Sequence, residues 1–268
     1  MKRQLIVIAV MVIAMGSLTG CKSKEYKAAE ASFQVAMSEL EDKNAVLDTE
    51  LTNARNLVNS DDKALDETLR PLLETAISDA KTQKVEIPEM AETADEINAQ
   101  VTKMEAADYE DAIASLDAAY DALDLSIKQY ALVNNPTEAY VIECLQKTNH
   151  VVDISAVTED NDPNGHLGKQ GGYTAQIYFS LDSIDQSRVS GETVIEKGTA
   201  CGGSIEVYEN EEDAKIRDDY LASFDGSILS NGYHTIIGTC VIRISDELPA
   251  SQQKEMTELI DASLTTLE

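Results

Sequence analysis

The chain has 268 residues and carries 49 acidic against 21 basic side chains, a formal net charge of −28. A field of that sign repels nucleic acid and anionic lipid headgroups, which excludes both as partners drawn in by charge. Acid excess runs through both halves of the chain, in keeping with a highly soluble surface.

In chain order, Met1-Lys2-Arg3-Gln4 is a positive start and Leu5 to Met15 is an uninterrupted apolar run ending at Gly16-Ser17. This predicts a signal peptide over residues 1–20, too short to persist as a spanning helix. Leu18-Thr19-Gly20-Cys21 follows at once and resembles the lipobox of bacterial lipoproteins. The resemblance implies that Cys21 receives a diacylglyceryl thioether and becomes the first residue after cleavage. The expected location is therefore extracytoplasmic, lipid-anchored to the cell membrane, with two acyl chains supplying the two signals that a stable anchor needs. No later run approaches the ~20 apolar residues of a membrane-spanning helix.

Residues 21–133 read as a helical coiled-coil stalk, being almost free of Gly and rich in Ala, Glu, Asp, Leu and Lys. Tyr26, Phe33, Leu40, Leu47 and Ala54 recur every seven residues, with Met37, Leu51 and Val58 four residues after a member of that set. Glu30 and Asn44 fill the remaining seam positions, where a polar residue weakens a coiled coil but fixes its register. A second helix is expected along Leu65, Leu69, Leu72, Leu73, Ala76, Ile77 and Ala80, kinked or interrupted at Pro71. After a break at Val85-Glu86-Ile87-Pro88 a third is expected through Ile97, Val101 and Met104, slipping phase at Ala106-Ala107. It then continues along Tyr109, Ile113, Leu116, Tyr120, Leu123, Ile127 and Tyr130. The expected arrangement is an elongated helical hairpin or three-helix coiled coil, either a spacer or a protein-binding surface.

Residues 134–268 change texture to a small α+β module with a mainly antiparallel sheet and two or three helices. Asn135 is expected to cap a helix opened by Pro136 that buries Val141, Cys144 and Leu145. Val152-Asp153-Ile154 predicts a weak strand. Alternation over Thr174–Leu181 predicts a half-buried strand, and Ser204–Tyr208 another. Thr235 to Ser245 is apolar on both parities and predicts the central strand. Asn210 caps a helix expected to turn Ile216, Tyr220, Leu221 and Phe224 inward, with Gly226 ending it. Pro249 opens a last helix with a stripe of Met256, Leu259, Ile260, Leu264 and Leu267.

The most distinctive loop is Thr158 to Gly168. Asp160, Asp162, Asn164 and Gly165 match the opening of a calcium loop, but its twelfth position is Gly171 where a bidentate Glu is needed. The loop is accordingly a possible ligand or ion site through Asp160, Asp162 and Asn164, or an Asx-rich turn. No metal site and no cofactor is predicted. Cys201 and Cys240 both have coreward parity and form either a disulfide or two free buried thiols. His234 and Cys240 lie ~20 Å apart along one extended strand and could form a dyad only if the chain turned back on itself.

The D-P-N-x-x-L-G pattern ending at Gly168, then Gly172-Tyr173-Thr174, Gly202 to Tyr208, and Asp213-Ala214 with Arg217, Tyr220 and Leu221, resembles a C-terminal domain of Gram-positive surface lipoproteins. The resemblance implies an exported module over residues 136–268 and assigns no catalysis. The sequence thus reads as a membrane-anchored binding or scaffold module on a helical stalk, partnered by an envelope protein or cell-wall polymer and not by nucleic acid. The alternative is an envelope enzyme or small-ligand receptor with its site near residues 160–173.

Overall fold

A computed structural model describes residues 22–226 and 232–267. The predicted leader and Cys21 lie outside the described residues. The fold is α+β, with a five-stranded antiparallel sheet and eight α-helices among the described residues. No helix among them is long and apolar enough to cross a membrane.

The chain forms two compact units. One holds the described residues as far as Thr52 together with Ser78–Ala114; the other holds Asn53–Ile77 and everything from Ser115 onward. The secondary structure changes character near residue 134, whereas the compact units divide elsewhere.

The first unit takes most of α1 (Lys24–Val58), the end of α2 (Leu69–Gln83), α3 (Ala94–Glu105) and the start of α4 (Glu110–Val133). Phe33, Leu40 and Leu47 are buried on α1 as the heptad predicts, but the intervening positions are Ala29 and Ala36 rather than Glu30 and Met37. A straight helix turns every 3.6 residues and drifts against a strict heptad, so the covered stripe moves by one residue along its length. Asn44 does lie in the seam: its amide donates to the Val85 carbonyl at 3.1 Å and its Oδ1 accepts from the Tyr109 hydroxyl at 2.8 Å. That hydroxyl in turn accepts from the Val85 amide at 2.9 Å, so the break at residue 85 is pinned by side chains.

Two expectations fail here. Pro71 neither kinks nor interrupts α2; the helix starts only at Leu69, leaving Leu65 outside, so Pro71 falls in the first turn, whose amides have no intrahelical partner. The phase slip at Ala106-Ala107 is a chain break, with α3 stopping at Glu105 and α4 starting at Glu110 after Asp108 accepts from the Glu110 amide. Among the described residues, four helices therefore precede residue 134, not three.

The second unit is built on the sheet, whose order is β1 (Val151–Ala156), β2 (Tyr173–Leu181), β3 (Gly202–Tyr208), β5 (Cys240–Ile244), β4 (Tyr233–Ile237). The run expected as one central strand is a hairpin, and β3 is central. Gly238 and Thr239 form a two-residue turn between Ile237 and Cys240, with Gly238 at φ 56°, a conformation open to glycine at the first turn position. This turn docks on the end of α4: the Thr239 amide donates to the Val133 carbonyl at 2.9 Å. Asn135 does not cap a helix. Its backbone is at φ 50°, its amide donates to Thr239 Oγ1 at 2.6 Å, and Thr137 caps α5 (Glu138–Lys147) instead.

One sheet face is apolar. Ile177 and Phe179 of β2, Ile205 and Val207 of β3, and Ile242 and Ile244 of β5 share a core with Val141, Cys144 and Leu145 of α5. Met256, Ile260 and Leu264 of α8 (Ala250–Thr265) complete it. The opposite face was expected to meet water, since β2 and β3 alternate. It is buried as well, beneath α6 (Val194–Lys197) on the β1–β2 side and α7 (Glu211–Ala222) on the β3–β5–β4 side. Gln176, Tyr178, Ser204 and Glu206 are thus polar residues inside the protein.

Asp261 on α8 has a buried Oδ1 without a hydrogen-bond partner, and burial, with Glu258 nearby, pushes its carboxyl up to about 6. The unfolded group titrates near 3.8, so the penalty is absent below that pH and complete above about 6. Asp261→Asn is expected to stabilise the chain by about 1–3 kcal/mol at neutral pH and by nothing near pH 3.5. Urea denaturation at the two pH values checks this, and an equal difference at both would contradict it.

Candidate ligand cleft beside a buried ion pair

Asp162 organises the loop before β2. Its Oδ1 accepts from the Asn164 amide at 3.0 Å and from the Tyr173 hydroxyl, and its Oδ2 accepts from the Leu167 amide at 2.8 Å. Burial pushes the carboxyl up, but the Leu167 amide, the Tyr173 hydroxyl and the Asn164 and Gly165 amides outweigh it and hold Asp162 at about 2. Both oxygens are therefore engaged by the loop itself. Asp160 is exposed and does not join it, and among the described residues no three His, Cys, Asp or Glu side chains are placed to hold a metal. Of the two readings of the loop through Asp160, Asp162 and Asn164, the observed geometry is that of the Asx turn, in which backbone amides and a tyrosine hydroxyl donate to Asp162.

The turn forms one wall of a cleft of about 320 Å³. Asn164 and His166 come from the loop, Tyr173 and Tyr208 from the ends of β2 and β3, and Arg217 and Tyr220 from α7. Asn164 is the one predicted site residue that lines it. The Tyr173 and Tyr208 rings meet edge to face at 6.4 Å and 83°, and the Arg217 guanidinium lies 5.5 Å from the centre of the Tyr220 ring.

Helix α7 is turned differently from its expected orientation. Asn210 caps it, accepting from the Asp213 amide at 2.9 Å, but Ile216 and Tyr220 are 61 % and 55 % exposed at the cleft. Ala214 and Arg217 face the sheet instead, because a buried partner waits there. Glu206, in the middle of β3 and wholly buried, accepts from Arg217 Nε at 2.7 Å and Nη2 at 2.8 Å. Tyr208 donates its hydroxyl to Glu206 at 2.8 Å and Gln176 its amide at 3.3 Å, while Arg243 stands 3.6 Å away. Burial and the Glu206 charge hold the Tyr208 and Tyr178 phenols protonated, well above their ordinary range.

The cysteines lie elsewhere. Cys144, Cys201 and Cys240 are free and buried, which corrects the Cys201–Cys240 disulfide. In the antiparallel register Cys240 faces Val207, while Cys201 precedes the strand end where Gly203 faces Ile244. The two thiols therefore sit at opposite ends of the β3–β5 pair, separated by roughly 20 Å of strand, far beyond the reach of a disulfide. Burial pushes the Cys240 thiol up to about 12. His234 lies on the opposite sheet face from Cys240, with Nδ1 2.6 Å from Asp218, so no thiol–imidazole dyad forms.

Sequence reasoning missed Glu206, Arg217 and Arg243. A charged residue alternating with Ile and Val reads as solvent-facing, and nothing local in the sequence says that a helix will cover it.

The second unit is thus an antiparallel-sheet module with helices on both faces and an open cleft at one end of its polar face. Comparison with known protein families, with curated proteins and with solved structures finds no match.

Proposed function

We propose that the chain is an extracytoplasmic lipoprotein held to the cell membrane through acylated Cys21, and that its C-terminal module binds a ligand in the cleft between the Asp162 turn and α7. The observation that carries the binding role is the exposure of Ile216 and Tyr220 beside Tyr173, Tyr208 and Arg217. Large apolar side chains turned to solvent around a polar concavity mark a recognition surface. Aromatic rims with amide and guanidinium donors suit a polar ligand or a segment of cell-wall polymer. The leader and lipobox support the location, and the acidic surface suits a soluble body on a lipid tether.

The test is retention of the full chain on isolated cell-wall polymer, compared with Ile216→Ser and Tyr220→Ala in combination. Both residues are exposed, so the variant is expected to fold normally and to lose at least tenfold in retention. Equal retention would overturn the cleft as the binding site. For the anchor, Cys21→Ser is expected to leave the membrane fraction, and a variant that stays there would overturn it.

A further inference from the structure

On the polar sheet face, two residues along each strand from the Glu206–Gln176 row, the register sets Arg243 of β5, Ser204 of β3 and Tyr178 of β2 side by side. Directly opposed residues in such a row have Cβ atoms about 5 Å apart, within reach of one small bound group. These three have donors without acceptors. Ser204 is wholly buried and its Oγ has no hydrogen-bond partner. The Arg243 side chain makes no hydrogen bond among the described residues; its one ion pair is the 3.6 Å approach to Glu206, and Glu206 is already held by both Nε and Nη2 of Arg217. Tyr178 accepts from Gln176 at 3.0 Å and so keeps its own proton for another acceptor.

A buried hydroxyl and a guanidinium without acceptors are costly, and folds keep such groups where something else completes them. We infer that Arg243, Ser204 and Tyr178 form an anion-binding subsite on the polar face of the sheet, and that its ligand is a monocarboxylate. Charge selects the class: Arg217 and Arg243 against Glu206 leave one net positive charge, which one carboxylate balances and a phosphate or sulfate dianion exceeds. His234, opposite Arg243 on the outer strand, has Asp218 at 2.6 Å and Asp225 at 3.5 Å, carboxylates that weigh further against a dianion. Geometry agrees, because the planar guanidinium fork presents paired donors to a planar carboxylate while the two hydroxyls donate from the neighbouring strands. Arg243 keeps 9 % of its surface, and Ser204 beside it is wholly enclosed. This subsite is separate from the cleft and does not depend on the cell-wall reading.

Thermal unfolding of the full chain in sodium acetate and sodium propionate, against sodium chloride at equal ionic strength, tests it. A saturable rise in Tm with either carboxylate is expected, absent in chloride. Ser204→Ala removes an unpartnered hydroxyl, so it is expected to match or raise Tm in chloride while shifting the carboxylate midpoint at least tenfold to higher concentration. Arg243→Gln is expected to abolish the response; should it not fold, Ser204→Ala decides alone. The inference is overturned if the carboxylates act no differently from chloride, or if Ser204→Ala responds like the unaltered chain. It is also overturned if phosphate and sulfate stabilise as strongly as carboxylates.

Discussion

Replacing Arg217 with methionine is expected to destabilise the chain by about 3–5 kcal/mol, the usual consequence of leaving a buried charge without its partner. The wholly buried Glu206 would keep only the Tyr208 hydroxyl, the Gln176 amide and Arg243 at 3.6 Å. Lysine at position 217 is expected to recover little, because an ammonium cannot supply the two parallel bonds now made by Nε and Nη2. Combining Arg217→Met with Glu206→Gln removes both charges, and more than half of the lost stability is expected to return. Urea denaturation of these variants together with Glu206→Gln alone measures this as a double-mutant cycle. A loss below about 1 kcal/mol for Arg217→Met would show that the pair is screened like a surface one.

Gly203→Val is expected to lose about 3 kcal/mol or more by overpacking. Gly203 lies on the apolar face of the central strand, opposite Phe179 on one side and Ile244 on the other. An added Cβ would stand 2.4 Å from the Arg243 carbonyl oxygen and 2.4 Å from Phe179 Cζ. One of these obstacles is backbone in the neighbouring strand and cannot swing aside. Glycine inside a strand ordinarily weakens it relative to alanine by roughly 0.5–1 kcal/mol, so a stabilising Gly203→Ala would be the default. Here alanine is expected to destabilise, and a gain in Tm for that variant would refute the close packing of the Phe179 ring over this strand.

Features set by neighbours in the chain were legible in the sequence. Asn210 caps its helix as read, Val141, Cys144 and Leu145 are buried together, and the α1 repeat places Phe33, Leu40 and Leu47 in a core. The failures arise where a distant element decides. Thr235 to Ser245 has apolar residues on both parities because both faces are covered, and the single Gly238 that folds it into a hairpin is a weak signal inside a strand-like run. Asn135 has capping chemistry, but a hydrogen bond from its amide to Thr239 draws it into a different conformation. Ile216 and Tyr220 carry the hydrophobicity of α7, yet the helix turns Arg217 to the sheet because a buried carboxylate outweighs apolar contact there. The cleft was half legible: its loop wall stood out by composition, while Ile216 and Tyr220 of its helix wall read as core residues and Arg217 read as solvent-facing.

The Gly238–Thr239 turn has a bearing on how such a module can be rearranged in evolution. Val133 is wholly buried in the sheet's core and its carbonyl receives the Thr239 amide, so the last turn of α4 belongs to the folding of the sheet. A recombination joint placed at residue 134 would strip the hairpin of its docking point and open the core where Val133 sat. A joint one or two helical turns earlier would carry that carbonyl along with its recipient. The natural seam for grafting this module onto another helix therefore lies inside α4, upstream of the glycine-free residues that join it to α5.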